Sequence, residues 1–234
     1  REIEKIIKKL IIDANGTNIV IPLSAGLDSR LIASGLKQYN YTNVKCFSYG
    51  LKNNYEAVAS EKIAKALGFD WMFIEINQKK IKKFYKSKVY LDYLKMSADG
   101  VSTSTIQGLY AIYQLKKINY IKNNSLIVNG NSGDFISGGH IPSVLKSFSA
   151  KNNFSSKDID KILTYHIEKH YSLWSSLKTK DNIKIIKNKL KWQYEKIFNY
   201  KNEPSAHAIL ELLEYENRQT KYVVNSQRIY DNFQ

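Results

Sequence analysis

Two short loops hold the residues whose types and spacing could do chemistry. The first, Ser24-Ala-Gly-Leu-Asp-Ser29, follows the apolar run Ile19–Leu23. Ser24 and Ser29 supply hydroxyl donors, and Gly26 permits close backbone approach. Asp28 offers a carboxylate that a magnesium ion could bridge to phosphate oxygens. A helical pattern starts at once, with Leu31, Ile32, Gly35, Leu36 and Tyr39 on one face. A strand turning tightly into a helix aims unpaired N–H groups at one point, on the positive end of the helix dipole, and so makes an anion site. The second loop follows the strand-like run Leu126–Asn129. It reads Gly130-Asn-Ser-Gly-Asp-Phe-Ile-Ser-Gly-Gly-His140, small residues around one carboxylate, Asp134. Without a ligand, the first loop is an ordinary tight turn and the second a glycine-rich turn with an Asx cap. Two such loops in one alternating chain favour phosphate chemistry. Neither is a Walker loop, since the second glycine followed by Lys-Ser or Lys-Thr is missing.

These loops need a scaffold that brings strand ends together. Ile3, Ile6, Ile7, Leu10 and Ile11 mark an opening amphipathic helix. Strand-like runs lie at Ile19–Leu23, Val44–Tyr49, Trp71–Ile76 and Leu126–Asn129. Helical patterns separate them: Asn54 to Leu67, with Gly68 as a stop signal, and Ser104 to Lys117. Strands alternating with helices imply right-handed crossovers and a parallel sheet covered on both faces, with ligands bound beyond the carboxyl strand ends. After about Ser149 the texture becomes helical throughout (157–170, 180–200 and 204–223), with a break at Glu203-Pro204-Ser205. The expectation is one α/β domain over 1–234, with a nucleotide-binding core at 15–149 and a helical extension at 150–234.

Composition narrows the class. No apolar run approaches the ~20 residues that span a bilayer. The only cysteine, Cys46, lies in a strand-like run, so it reads as a small buried hydrophobe; with no partner for a disulfide, the chain suits a reducing, cytoplasmic compartment. The net charge of +15 admits a nucleic-acid partner or simply solvated lysine-rich faces, and no arginine cluster or aromatic-basic signature favours the former. His166 and His170, at i and i+4, could ligate a metal; with no third ligand evident, an ordinary helix surface is the expectation. The hydroxyls of Ser102-Thr-Ser-Thr-Ile106 read as a helix N-cap or a pocket lining.

The first loop resembles the S-G-G-x-D-S pyrophosphate loop of the PP-loop ATP pyrophosphatases, and Leu-Ser-Ala-Gly-Leu-Asp-Ser is most similar to the asparagine synthetase version. The second resembles that family's segment L-S-G-E-G-S-D-E-x-F-G-G-Y. Phe47-Ser-Tyr-Gly-Leu51 with Ser60 to Gly68 resembles its second strand and following helix. The resemblance implies a Rossmann-like (adenine nucleotide alpha hydrolase-like) α/β fold with a C-terminal helical extension. It also implies an ATP-using ligase that adenylates a carboxylate, releases pyrophosphate and forms an amide. Carried over by position, Leu23, Ser24, Ala25, Gly26, Leu27, Asp28, Ser29, Ser48, Tyr49, Gly50, Asn129 and Gly130 bind ATP and its phosphates. Asp28 and Asp134 share Mg2+, and Asn131 and His140 stand at catalytic positions. The implied partners are small-molecule carboxylate and amine substrates.

The departures are specific. Ala25 replaces the family's first glycine; it is strained if that position needs φ > 0 and fits if only small size matters. Asn131 replaces a glutamate tied to proton transfer, Phe135 a second glutamate, and His140 the final tyrosine. Asparagine orients but cannot act as a general base. The chain begins with Arg1 and stops at Gln234, so it reads as a piece of something longer. The resemblance leaves open whether a glutaminase domain precedes Arg1, and it implies that the family's lysine segment would follow Gln234. Two other functions stay open: a PP-loop enzyme modifying tRNA, to which the charge would belong, and a nucleotide-binding domain without amide chemistry.

Overall fold

The computed structural model describes residues 2–98, 100, 102, 105–139, 141, 155–171, 175–198 and 206–231. The chain divides into two compact units, residues 1–133 with 222–234, and residues 134–221. The helical break at Glu203-Pro204-Ser205 and the change of texture near Ser149 lie outside the described residues.

In the first unit α1 (Glu2–Ala14) leads to β1 (Ile19–Pro22), α2 (Leu27–Gln38), β2 (Val44–Gly50), α3 (Tyr55–Leu67) and β3 (Asp70–Glu75). There follow α4 (Gln78–Phe84), α5 (Lys88–Ser97), α6 (Leu109–Lys117) and β4 (Leu126–Ile127). All strand pairs are parallel and the order is β3-β2-β1-β4. This is the parallel α/β sheet that the alternation of elements predicts and the Rossmann-like arrangement that the resemblance implies. Alternation along β1 explains its continuous apolar run. Val20, with Phe47 of β2, packs on one face under Phe84, Tyr93, Leu109, Ile112 and Leu115. Ile19 and Ile21, with Val44 and Cys46, pack on the other under Ala14, Ala33, Leu36 and Ala64. Each fully buried Ile or Leu contributes about 1.5–3 kcal/mol relative to exposure. Cys46 is the buried hydrophobe expected, and burial, helped by the Asp70 carboxylate, pushes its thiol up to about 12.

Helix ends follow local chemistry. The Asn54 side chain accepts from Ala57 N–H at 2.9 Å, and Gly68 closes α3 in the left-handed region (φ 71°). Asn77 and Ser87 cap α4 and α5 in the same way. Thr103 and Ser104 lie outside the described residues, and for Ser102 the start of α6 corrects the N-cap expectation. The helix begins only at Leu109, its cap Gly108 carries no side-chain hydrogen bond, and Ser102 Oγ instead accepts from Asn225 Nδ2 at 2.8 Å.

Gly35 of α2 sits against α1: a Cβ there would lie 2.9 Å from Ile7 Cγ1. Alanine gains about 1 kcal/mol in helix propensity, while overpacking costs roughly 1–3 kcal/mol. Because Cγ1 is held next to the backbone of a buried residue, the clash wins. Gly35→Ala is expected to lower stability by about 1 kcal/mol, seen as a lower urea midpoint at unchanged slope.

The division between units falls within a single turn, α7 (Gly133–Ile136). The second unit holds α8 (Ser156–Tyr171), a 3-10 turn at Ser175–Leu177, α9 (Lys180–Phe198) and α10 (Ala206–Glu214). Its core is Ile159, Ile162, Leu163 and Ile167 against Leu190, Ile209, Leu210 and Leu213. A π-helical stretch, Tyr215–Val223, continues into α11 (Val224–Asp231), which groups with the first unit and buries Ile229 in its core. Asn225 of α11 donates to Ser97 O at 3.2 Å, and Arg228 Nη1 to Met96 O at 2.8 Å. Among the described residues no helix is long and apolar enough to cross a membrane.

Candidate active site

β1 ends in the first loop because Leu23 is still tied to the sheet, its N–H donating to Phe47 O at 2.9 Å, whereas Gly26 is already the N-cap of α2. Gly26 has no side chain with which to cap that helix, so among the described residues the capping position stays open to a ligand. Ser24 and Ser29 brace the turn. Their hydroxyls lie 3.2 Å apart, Ser24 N–H donates to Ser29 Oγ at 3.2 Å, and Gly26 N–H donates to Ser24 Oγ at 3.1 Å. Arg30 Nη2 donates to Ala25 O at 2.7 Å, fixing one loop carbonyl. Ala25 has no positive φ, so its methyl group fits without strain. Gly26 itself has φ −68°, and its use is space: a Cβ would lie 3.2 Å from Ser24 Oγ. Leu27 is exposed, and Asp28 is half-buried in the first turn of α2. Among the described residues no cation pairs with Asp28.

The second loop packs directly on this turn. A Cβ at Gly130 would lie 2.6 Å from the Ser29 backbone nitrogen, and one at Gly133 2.3 Å from Asp28 Cγ. Asn129 shapes the loop: its Oδ1 accepts from Asn131 N–H at 3.0 Å, and its Nδ2 donates to Gln227 Oε1 on α11. Ser132 takes up the left-handed region (φ 73°). Thus Ser24 to Ser29, Asn129, Gly130 and Asn131 are brought together at the carboxyl ends of β1 and β4. Asp134, directly after Gly133, begins the second unit. It is exposed, and its carbonyl accepts from Gly139 N–H at 2.8 Å. His140 lies outside the described residues.

At the end of β2 the Ser48 side chain serves the scaffold. Its Oγ donates to Leu23 O at 2.6 Å, meets Ser60 Oγ at 2.5 Å and accepts from Trp71 Nε1 at 3.3 Å. Tyr49 is half-buried, and burial, reinforced by Glu56, raises its hydroxyl above the usual range. Gly50 takes φ +138°, and a Cβ there would lie 3.0 Å from Asn54 Nδ2. Tyr230 of α11, raised mainly by burial, reaches the Asn129 side chain and the field of Tyr49.

Sequence reading missed Gln227 and Tyr230, which lie far from both loops along the chain, and Gly133, whose close approach shows only once the loops meet. It also placed His166 and His170 on a helix surface. In the structure His166 is buried, and Glu214 supplies the third ligand-type group that spacing alone could not reveal.

A family model described as asparagine synthase matches residues 16–225 of the chain. No curated protein matches it. Among solved structures, the chain is similar to an NH3-dependent NAD synthetase from Campylobacter jejuni subsp. jejuni NCTC 11168, in complex with the nitrate ion. The identity is 16%, over 87% of this chain and 96% of that one, with a TM-score of 0.38.

Proposed function

Because the chain belongs to the asparagine synthase family, an ATP-using family of carbon–nitrogen ligases, we propose that it binds ATP between its two loops and adenylates a carboxylate. The carboxylate oxygen attacks the α-phosphorus, the bond to the bridging oxygen of the pyrophosphate breaks, and an amine then displaces AMP from the acyl adenylate to leave an amide. The observation that carries this reading is the seating of Gly130 and Gly133 against Ser29 and Asp28, at an N-terminus whose cap, Gly26, has no side chain.

Each residue has a task in this reading. The first-turn N–H groups of α2, with the hydroxyls of Ser24 and Ser29, would hold the β- and γ-phosphates. Backbone of Leu23, Ser48 and Gly50, with the Tyr49 ring, would border the adenine. Bound Mg2+ would neutralise charge on the departing pyrophosphate. Asp28, a half-buried carboxylate beside a cradle that any Cβ would fill, suits that ion. Arg30, tied to the Ala25 carbonyl, keeps the loop in shape rather than meeting phosphate.

Ser24→Ala combined with Ser29→Ala is expected to weaken ATP binding at least tenfold, about 1.4 kcal/mol. Calorimetric titration of the folded double variant measures it, and unchanged affinity would remove this site. Repeating the titration with magnesium chelated should weaken binding in the parent protein, and less so in Asp28→Asn.

A second reading, nucleotide binding without amide chemistry, draws on Asn131 and Phe135. Asn131 is exposed with its N–H held by Asn129. Phe135 stacks on Tyr215 with centroids 6.4 Å apart, an apolar pair where the family has a carboxylate.

A further inference from the structure

The second unit holds a cluster of donors that the ligase reading does not use. His166 and His170 lie one helical turn apart on α8, so their rings are neighbours, with centroids 4.5 Å apart. The last residue of α10, Glu214, meets them: its Oε2 lies 2.9 Å from His170 Nε2. One nitrogen of each imidazole and one carboxylate oxygen all lie within 4.8 Å of one another. Both His166 and Glu214 are only 2% exposed, among Ile162, Leu163, Ile167, Ile209 and Leu213.

An ion-pair network accounts for only part of this. Arg218 Nη1 donates to Glu214 Oε1 at 3.0 Å, and Lys169 Nζ lies 3.6 Å from Oε2, so the carboxylate has partners. His166 Nε2 does not: it is buried with no hydrogen-bond partner among the described residues. A buried polar atom left so calls for an explanation, commonly a water or an ion.

We propose that His166, His170 and Glu214 bind one divalent transition ion of the zinc class, with water completing its coordination. Two imidazoles and one carboxylate are a donor set that zinc accepts with an open fourth position. Donors on a tetrahedral zinc sit about 3.3 Å apart, so the widest pair must close by as much as about 1.5 Å. The ion replaces the proton shared by His170 and Glu214 and gives His166 its missing partner. Arg218, bound to the other carboxylate oxygen, holds Glu214 in place, while Lys169 swings toward solvent. The ion would tie α8 to α10 across the unit's core.

The test uses the full chain stripped by a chelator and titrated with Zn2+ alone, by calorimetry, then with Co2+ by visible absorption. One equivalent of Zn2+ is expected, with Co2+ giving the intense bands of a low-coordinate site. His170→Ala and Glu214→Gln should each weaken binding by roughly a hundredfold or more. Zn2+ should raise the unfolding temperature of the parent protein and not that of His170→Ala. Failure of the parent protein to take up Zn2+ at micromolar concentration overturns the proposal, whatever the variants do. So does equal binding by a folded His170→Ala.

Discussion

Gly130→Ala is expected to lower ATP affinity by roughly a hundredfold, about 2.8 kcal/mol, while the sheet stays folded. The added methyl carbon would sit 2.6 Å from Ser29 N and 3.0 Å from Asp28 C, both backbone atoms of the first turn of α2. Neither can rotate away, so either the second loop lifts or the helix start moves. Overpacking of this kind costs about 1–3 kcal/mol. The displaced atoms are those proposed to hold phosphate, so the damage should fall on binding more than on the melting temperature. Gly133→Ala tests a different element of the same cradle. Its Cβ would meet the Asp28 carboxylate, at 2.3 Å from Cγ, and that side chain can turn aside. It should therefore weaken the magnesium-dependent part of binding and spare the rest. Gly26→Ala, which crowds only the Ser24 hydroxyl at 3.2 Å, is the mild control. ATP titration with thermal unfolding measures all three. A folded Gly130→Ala binding ATP like the parent would place the phosphates elsewhere.

The residues that carry this argument were legible to different depths. β1 and β2 showed as apolar runs because both of their faces are buried, and Asn54 and Gly68 announced the ends of α3 through their own backbone chemistry. The caps Asn77 and Ser87 offered the same signal for α4 and α5, but the lysine-rich stretch between them hides the periodicity. Local pattern could not show that α11 returns to the first unit, where Gln227 meets Asn129. That contact depends on tertiary packing alone. Likewise Gly130 and Gly133 read as flexible loop residues, whereas their need for a missing Cβ arises only once the two loops touch. His166 carried a usable sign. It lies three and four residues from Leu163 and Ile162, both fully buried, so it shares their face of α8. The pairing with Glu214 did not, since nothing local links residues on two separate helices.

Supplied with ATP, aspartate and ammonia, the protein is expected to release pyrophosphate no faster than background and to form no asparagine. The reason is chemical rather than one of affinity. A well-placed general base contributes about 10²–10⁴ in rate, and the amide at Asn131 has no proton to take or give near neutral pH. Its N–H is already committed to Asn129, and its side chain is exposed, so it serves the loop's shape. Phe135 pushes in the same direction: it stands where the family's motif has a second glutamate and pairs with Tyr215, so the polar partner a charged amino acid would need is missing from that position. A carboxylate with an apolar body should therefore raise pyrophosphate release above the level seen with aspartate. A panel of carboxylates, each with ammonia and read by phosphate release in the presence of pyrophosphatase, separates these outcomes. Robust asparagine synthesis would mean that another residue supplies the proton transfer. Activity with an apolar acid alone would mean that the loop has kept its hold on ATP while its second substrate has changed.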